Sequence, residues 1–199
     1  MQRDVIAANL AAFERRALDD SEMRRAAVAI LISPRRKRLT FVLTRRARGL
    51  RRNAGMYALP GGRLEPGEDA VGAAVRETAE ELGVVVGREH ALGLLDDFVT
   101  LSKLIVTPVV LWSDAPLALQ PDPVEVASAW LAPLADLDHP KSPRLEPHPD
   151  GGEPILRMYS RGSWINPPTA AWLYQFREVA LYGREARVHA VGQPPWTAH

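Results

Sequence analysis

Apolar residues recur along the chain at two spacings, and each spacing predicts a different kind of element. Near-helical spacing over residues 4–18 predicts a leading amphipathic helix with the apolar positions Val5, Leu10, Phe13 and Leu18. Apolar runs bounded by polar turns predict five strands: residues 26–32, 39–44, 92–100, 104–112 and 124–131. Residues 133–154 are rich in Pro, His and Asp and are typical of a long surface loop.

Two further helices follow from capping signals. A central helix is predicted over residues 69–82, with Asp69 as its N-cap and Gly83 ending it in the left-handed conformation. Its core-facing positions are Val71, Ala74, Val75, Thr78 and Leu82. A last helix begins after residues 166–168, where Asn166 is a suitable N-cap. Because strands precede and follow the central helix in mixed order, we expect one α/β or α+β domain.

The composition is that of an ordinary globular domain. The 199 residues are 46% hydrophobic and 25% charged, which excludes wholesale disorder. No apolar run approaches the roughly 18 residues of a membrane helix, and the first 20 residues lack the features of a signal peptide. The chain contains no Cys, which excludes disulfides and thiolate metal sites. We therefore expect a cytoplasmic protein with no membrane partner.

The formal net charge of +1 conceals an uneven distribution. Residues 1–65 carry 15 Lys and Arg against 6 Asp and Glu, whereas residues 66–199 carry 10 against 18. A basic first half suits either a phosphorylated small molecule or a solvated Arg-rich surface. Nucleic acid is not an expected partner, because the chain has neither a basic tail nor aromatic residues interleaved with cations.

Three carboxylates are predicted to share one face of the central helix. Glu77 and Glu81 lie four residues apart, and Glu80 lies beside them. A divalent cation would reverse their repulsion, which costs roughly a few tenths of a kcal/mol for each pair. Oxygen ligands without His or Cys suit Mg²⁺ or Mn²⁺ rather than zinc. Arg76 lies four residues before Glu80 and can pair with it, while a solvated acidic surface is the alternative interpretation.

Seven positions in this segment stand at the spacing of a known motif: Gly62, Glu68, Arg76, Glu77, Glu80, Glu81 and Gly83. The segment resembles the signature of the Nudix hydrolases, Gly-x5-Glu-x7-Arg-Glu-U-x-Glu-Glu-x-Gly-U, in which U is bulky and apolar. Its one departure is Thr78 at the first U position, where a β-branched residue can still pack. The resemblance is direct over residues 58–84.

The resemblance implies a fold and a division of the chain. The expected fold is an α/β/α sandwich with a mixed sheet and a central catalytic loop and helix. Residues 1–24 would form an N-terminal helical extension, residues 25–190 the Nudix hydrolase domain, and residues 191–199 a C-terminal tail. The implied reaction is hydrolysis of a diphosphate bond in a nucleoside diphosphate linked to another moiety, with Mg²⁺ or Mn²⁺ as cofactor.

Site roles also follow from the resemblance. In family members, the residues matching Glu77 and Glu81 bind metal, and the residue matching Glu80 binds metal or helps to activate water. The residue matching Arg76 orients a metal-binding carboxylate. The residue matching Glu68 supports the geometry of the loop and helix or reaches the metal through water.

A second motif precedes the Nudix-like signature and indicates a narrower class of substrate. Residues 42–62 resemble the signature of the coenzyme A diphosphatase subgroup, Leu-Leu-Thr-x-Arg-Ser-x3-Arg-x3-Gly-x3-Phe-Pro-Gly-Gly, with changes at Val42, Ala47 and Leu59. Arg46 and Arg51 are thereby expected to bind substrate, and paired arginines suit the 3′-phosphate of coenzyme A. Gly61 and Gly62 would let the backbone approach metal or phosphate. ADP-ribose, other nucleotide sugars, dinucleotides and nucleoside triphosphates are the alternative substrates.

Three questions stay open at the level of sequence. The general base has four candidates: Glu80, Glu125, Asp96 and Asp97. A non-catalytic ligand-binding module is the alternative to an enzyme, although all four glutamates of the box are present. Trp164, Trp172 and Tyr174 are interpreted as core residues or as contacts in a homodimer.

Overall fold

Within the residues that the computed structural model describes, 2–50 and 53–198, eight strands form one mixed sheet with helices on both faces. The sheet contains β1 (Arg24–Arg35), β2 (Arg38–Arg46), β3 (Tyr57–Ala58), β4 (Gly61–Arg63), β5 (Ala91–Leu94), β6 (Phe98–Val99), β7 (Leu104–Trp112) and β8 (Val126–Pro133). The helices are α1 (Gln2–Ala12), α2 (Ala70–Leu82) and α3 (Thr169–Phe176), and a π-helical segment, Arg177–Leu181, continues α3. None of the helices in these ranges is long and apolar enough to span a bilayer.

Strand β1 is buried on both sides of the sheet because its apolar residues alternate between two cores. Its even-numbered residues from Ala26 to Ile32 join the core that contains residues of α1 and α3. Its odd-numbered residues from Ala27 to Leu31 join the core under α2. A strand that is apolar on both faces is typical of a sheet covered on both sides. The predicted α/β/α sandwich with a mixed sheet is confirmed.

The pairing of β1 sets the position of the segment before α2. One edge of β1 runs parallel to β7, and the other edge pairs antiparallel with β4 near its start and with β2 near its end. Strand β2 also pairs with β8, which places Arg46 beside Val126. These pairings bring the end of β2, the start of β8 and the glycines of β4 to one region of the sheet.

A smaller antiparallel sheet begins inside the segment that the sequence predicts as a loop and continues after it. It consists of β9 (Arg144–Glu146), β10 (Ile155–Ser160) and β11 (Ser163–Ile165). The expectation of an irregular loop over residues 133–154 is therefore wrong in part, since β9 and a 3₁₀ helix over Leu134–Asp138 lie within it. Strands of three residues are too short to show an alternating pattern.

The first helix ends at Ala12 rather than near residue 18. Its buried residues are Ile6 and Leu10, whereas Val5 and Leu18 are exposed. The helix is shorter than predicted because the chain after it donates its backbone N–H groups to carboxylates of the β5–β6 connection instead of to helical carbonyls.

Asp97 is one of these carboxylates, and its side chain is fully buried. It accepts hydrogen bonds from the Arg15 guanidinium, from the Thr107 hydroxyl at 2.6 Å and from the Leu18 N–H at 2.9 Å. Arg25 in β1 adds a longer ion pair at 3.6 Å. The carboxylate thus binds the N-terminal segment to the central strands β1 and β7.

Asp96 performs the same task for the C-terminal helix. It accepts from the Arg16 N–H at 2.8 Å, from Arg187 at 2.9 Å and from the Gln175 amide at 2.8 Å. Gln175 is fully buried in α3 and also donates to the Ala186 carbonyl at 2.9 Å. Helix α3 is therefore held against the sheet by a buried polar network as well as by apolar packing.

Replacing Asp97 with Asn should lower the free energy of unfolding by about 3 kcal/mol. The change removes a buried charge that pairs with Arg15 and places the new amide NH₂ group against groups that also donate hydrogen bonds. Urea unfolding at neutral pH measures the effect. Asp150→Asn, at an exposed turn, is the control and should change stability by less than about 0.5 kcal/mol. Equal stability of the two variants would contradict this assignment of Asp97.

Candidate active site

Local sequence sets both ends of α2 as predicted. The Asp69 carboxylate accepts the Gly72 N–H at 2.8 Å, and Gly83 ends the helix at φ 64° while its N–H donates to the Ala79 carbonyl. Arg88 also binds Asp69, at 2.6 and 2.7 Å, and is the main reason that the pKa of Asp69 is held well below its usual range. The helix that carries the acidic residues is therefore firmly bounded.

The packing of α2 buries a carboxylate. Five of its residues are buried: Ala73, Ala74, Thr78, Glu81 and Leu82. The Thr78 hydroxyl donates to the Ala74 carbonyl at 2.7 Å, so the polar residue at this motif position is satisfied. Val71 and Val75 are half-buried and pack against the core under α2, as predicted. Glu81 is more deeply buried than either valine and is only 4% exposed.

The Arg76 guanidinium binds three carboxylates at once. Its Nε and Nη2 donate to the two oxygens of Glu68 at 3.1 Å, and its Nη1 donates to Glu77 Oε1 at 2.8 Å and to Glu80 Oε2 at 2.9 Å. Nη2 also donates to the Arg63 carbonyl at 2.9 Å. The expected Arg76–Glu80 pair is confirmed. The hydrogen bonds between Arg76 and Glu68 raise the pKa of Arg76 and lower that of Glu68.

Glu77 and Glu81 occupy positions where a carboxylate charge is costly. Burial, followed by the charge of Glu77, raises the pKa of Glu81 from its usual 4.5 to about 8. Burial also raises the pKa of Glu77, and Arg76 opposes that effect. The charge of Glu125 raises both pKa values, while Arg46 lowers that of Glu81. Desolvated carboxylates that repel one another favour a shared cation.

The two glycines of β4 allow the backbone to lie against these carboxylates. A Cβ atom on Gly62 would overlap the Glu77 carboxylate, and one on Gly61 would overlap the backbone of β1. A hydrogen bond from the Gly61 backbone lowers the pKa of Glu81 and so favours its charged form. A side chain at Gly62 would therefore displace the Glu77 carboxylate, and one at Gly61 would push β4 away from β1.

The adjacent ends of β2 and β8 add one cation and one further anion. The Ala47 N–H donates to the Glu125 carbonyl at 2.8 Å, next to the register pair of Arg46 and Val126. Arg46 is half-buried and Glu125 is exposed. Arg51, the second arginine of the upstream motif, lies outside the described residues.

The four candidates for the general base separate into two groups. Glu80 and Glu125 lie at the carboxylate face, where Glu80 is 59% exposed and pairs with Arg76. Asp96 and Asp97 are buried and accept the hydrogen bonds that hold the N-terminal segment and α3. Those two carboxylates therefore have a structural role in this fold.

The donor set at this face is made of carboxylate oxygens, which suits a hard divalent cation. In the part of the chain that the structure describes, no three His, Asp or Glu side chains form a complete cation site. Arg76 holds both Glu77 and Glu80. Arg76 contacts only Oε1 of Glu77 and Oε2 of Glu80, so each keeps a second oxygen. With the buried Glu81, these oxygens fit the chemistry of Mg²⁺ or Mn²⁺.

A cleft of about 240 Å³ adjoins the carboxylate face. Four parts of the chain line it: the central strands at 26–28 and 61–63, the β2 end and following loop at 46 and 53–59, the β6–β7 region at 100–106, and the start of α3 at 168–172. Arg46, Gly61 and Gly62, three of the four predicted substrate-binding residues, lie together on this cleft.

The sequence did not point to several of the residues lining this cleft. Asn53, Thr100, Ser102 and Trp172 come from three separate parts of the chain. Trp172 was expected in the core or in a dimer contact, and it does pack edge-on against Phe98 in the core with ring centroids 6.1 Å apart. Its place on the cleft depends on how α3 docks on the sheet, for which the local sequence carries no signal.

Curated relatives match part of this chain. An uncharacterized Nudix hydrolase from Yersinia pestis (strain Pestoides F), NudL, is 38% identical over 112 residues, which are 56% of this chain and 56% of the relative. Proteins of Yersinia pseudotuberculosis with the same description match equally well. The chain spans about half the length of the curated relatives it matches.

Solved structures share the fold. A Nudix hydrolase from M. smegmatis, RenU, aligns with a TM-score of 0.53 and 19% identity over 83% of this chain and 90% of that one. A MutT/nudix family protein from Enterococcus faecalis aligns with a TM-score of 0.52 and 17% identity over 75% of this chain and 52% of that one. The NUDIX domain family model matches residues 23–150, which include the whole acidic motif. By this match over more than half of its length, the chain belongs to the Nudix family.

Proposed function

We propose that the protein is a metal-dependent diphosphatase that splits coenzyme A into 3′,5′-ADP and 4′-phosphopantetheine. The observation that carries the proposal is the pair of desolvated carboxylates, Glu77 and Glu81, set against Gly61 and Gly62 beside a cleft. Burying like charges together is costly unless a cation offsets them, so this arrangement favours a site built for a metal ion.

Each residue of the acidic motif has a distinct task in this proposal. Glu77 and Glu81 hold the Mg²⁺ or Mn²⁺ ion, and Glu80 is a third ligand or accepts a proton from water. When bound, such an ion neutralises diphosphate charge and lowers the pKa of the attacking water. Arg76 keeps Glu77 and Glu80 in fixed orientations through one oxygen of each. Glu68 keeps Arg76 in place from the loop before α2.

The proton of the attacking water needs an acceptor at the same face. Glu80 and Glu125 are the two candidates, because both are exposed there. Glu80 already accepts a hydrogen bond from Arg76 on one of its two oxygens. Glu125 approaches the pair from the start of β8, and the bond between its carbonyl and Ala47 holds it beside the arginine motif.

Coenzyme A is the proposed substrate because of the upstream motif and the position of Arg46. Arg46 lines the cleft and acts electrostatically on Glu81, so a phosphate bound between them would meet both the cation and the metal site. Arg51 is proposed as its partner from the motif alone. A guanidinium suits a phosphate dianion because it can donate two parallel hydrogen bonds.

ADP-ribose and other nucleotide sugars are the second candidate substrates, since they present the same diphosphate to the same carboxylates. A non-catalytic binding module would bind its ligand in the cleft and would not need the glutamates of the acidic motif. The presence of all four glutamates of the motif, three of them fixed by Arg76, favours the enzyme.

Replacing Glu81 or Glu77 with Gln should lower kcat at least 100-fold while the protein stays folded. Loss of a metal-binding carboxylate removes about 3 kcal/mol or more of transition-state stabilisation, and each tenfold in rate is about 1.4 kcal/mol. Product release in the presence of Mg²⁺ measures the effect, and Glu22→Gln at an exposed turn is the control. Full activity of Glu81→Gln with an unchanged Mg²⁺ dependence would refute the assignment.

Stability without metal should fall as the pH rises from about 5 to 8. Because the folded-state pKa of Glu81 is raised from 4.5 to about 8, the folded chain binds this proton more tightly than the unfolded chain. The group therefore contributes stability at low pH that is lost as the pH rises through 8, by up to about 1.4 kcal/mol for each pH unit.

Thermal unfolding in EDTA at several pH values measures this slope, and Glu81→Gln should flatten it. Adding Mg²⁺ should raise the Tm more at pH 8 than at pH 5, because the ion binds the deprotonated carboxylate. A Tm that rises with pH in EDTA, or a Mg²⁺ effect confined to low pH, would contradict the proposed burial of Glu81 in a cation site.

Arg46→Ala should impair the hydrolysis of coenzyme A more than that of dephospho-coenzyme A, which lacks the 3′-phosphate. A charge-assisted contact worth about 1.5–3 kcal/mol predicts a change of roughly 10- to 100-fold in the ratio of the two kcat/KM values. The ratio is the informative quantity, because Arg46 also acts on Glu81 and affects both substrates. Arg38→Ala, at the exposed start of the same strand, is the control. An unchanged ratio would mean that Arg46 does not read the 3′-phosphate.

A further inference from the structure

Two residues that line the cleft each carry a buried polar atom without a hydrogen-bond partner. Within residues 2–50 and 53–198, five buried side-chain atoms have none, and two of them, Asn53 Oδ1 and Trp172 Nε1, belong to residues that line this cleft. Trp172 is 4% exposed, so the packing of α3 holds its ring in place. One atom is a hydrogen-bond acceptor and the other a donor.

An unpaired polar atom in a protein interior needs an explanation, because leaving it unpaired costs about 1–3 kcal/mol. The chain satisfies the same group elsewhere: the buried Trp112 donates its Nε1 to Asp114 at 2.9 Å. The missing partners at Asn53 and Trp172 therefore coincide with a cleft, which is where a ligand would supply them.

The size and charge of the cleft limit the class of ligand that it can bind. Its volume of about 240 Å³ is below the roughly 300–1,000 Å³ of pockets that enclose a whole drug-sized molecule. The cleft therefore takes one moiety of a dinucleotide-like substrate. Its charged lining residues are Arg46 and Arg63, and the others are apolar or neutral polar side chains such as Met56, Tyr57 and Thr100.

We propose that this cleft binds a neutral, partly apolar moiety of the substrate, with Trp172 Nε1 donating to an acceptor on it and Asn53 Oδ1 accepting from a donor on it. The inference rests on the proposed function, because it assumes that the diphosphate lies at the neighbouring carboxylates. Trp172 and Asn53 are then specificity-determining residues, and they recognise the part of the substrate that does not react.

Two parts of coenzyme A have this chemistry. The adenine ring carries an amino donor beside ring-nitrogen acceptors, and each amide of the pantetheine arm carries an N–H donor beside a carbonyl acceptor. The two cleavage products separate these sources, since 3′,5′-ADP holds the adenine and 4′-phosphopantetheine holds the amides.

The test is the affinity of wild type and variants for each product and for ADP-ribose, measured by calorimetry in EDTA so that no turnover occurs. Trp172→Phe keeps the ring and removes the N–H group. It should weaken binding of one product about 3- to 10-fold, as expected for one neutral hydrogen bond, and leave the other unchanged. The product whose binding is weakened contains the moiety that lies in the cleft. If that moiety is adenine, binding of ADP-ribose is weakened as well, and if it is an amide, binding of ADP-ribose is unchanged.

Trp112→Phe is the matched control, and we expect it to lower stability and leave ligand affinity unchanged. It loses the hydrogen bond to Asp114, so its Tm should fall while its ligand affinity stays at the wild-type value. Trp172→Phe has no such bond to lose, and its Tm should change less. A merely structural role of Trp172 would lower the Tm and weaken both products alike, which would overturn the inference.

Asn53→Gly tests the acceptor independently. Asn53 has φ 54°, a conformation that glycine adopts readily, so the variant removes the side chain and keeps the backbone. It should weaken binding of the same product that Trp172→Phe weakens. It should also raise the KM for coenzyme A about 3- to 10-fold with little change in kcat. Weakening of a different product, or of none, would overturn the shared-moiety assignment.

Failure of this inference is distinguishable from failure of the proposed function. A wild-type protein that hydrolyses coenzyme A, with variants that bind both products normally, refutes the cleft assignment and leaves the function standing. A wild-type protein that binds a product through Trp172 and Asn53 without hydrolysing any substrate refutes the function and leaves the cleft assignment standing. If the wild-type protein binds neither product and does not bind ADP-ribose, the inference is overturned.

Discussion

The charge balance around Arg76 is the interaction on which the rest of the site depends. Glu68, in the loop before α2, and Glu77 and Glu80, in the second half of the helix, would repel one another, and one guanidinium binds all three. The same guanidinium donates to the Arg63 carbonyl, which ties the helix to β4. A planar group with five donors can do this, whereas a lysine ammonium could not reach the same set in fixed directions.

Glu81 is held in a different way. Its charge is buried, and among residues 2–50 and 53–198 the field of Arg46 and the Gly61 backbone favour the ionised form. Gly62 leaves room for the neighbouring Glu77, since a side chain on Gly62 would displace the Glu77 carboxylate. The protein thus tolerates a locally unfavourable burial at the place where its chemistry is proposed.

The buried polar network at the opposite side of the sheet contributes to the cleft from a distance. Asp96 binds Gln175 of α3, and Trp172 lies one helical turn before Gln175 on the same helix. The carboxylate that sequence reasoning considered as a general base therefore positions one wall of the proposed binding cleft. Its partner Asp97 fixes the N-terminal segment, so the chain before β1 is part of the support of the site.

The sequence by itself determined α2, because caps and i,i+4 pairs act within a few residues: Asp69, Gly83 and the Arg76–Glu80 pair needed no tertiary information. It also determined which acids share a helix face. Only the tertiary structure decided that Glu81 is buried, that Asp96 is structural, and that Trp172 meets Asn53 on one cleft. Those outcomes depend on contacts between segments far apart in the chain, such as Asp96 and Gln175 at a separation of 79 positions, and local patterns carry no record of them.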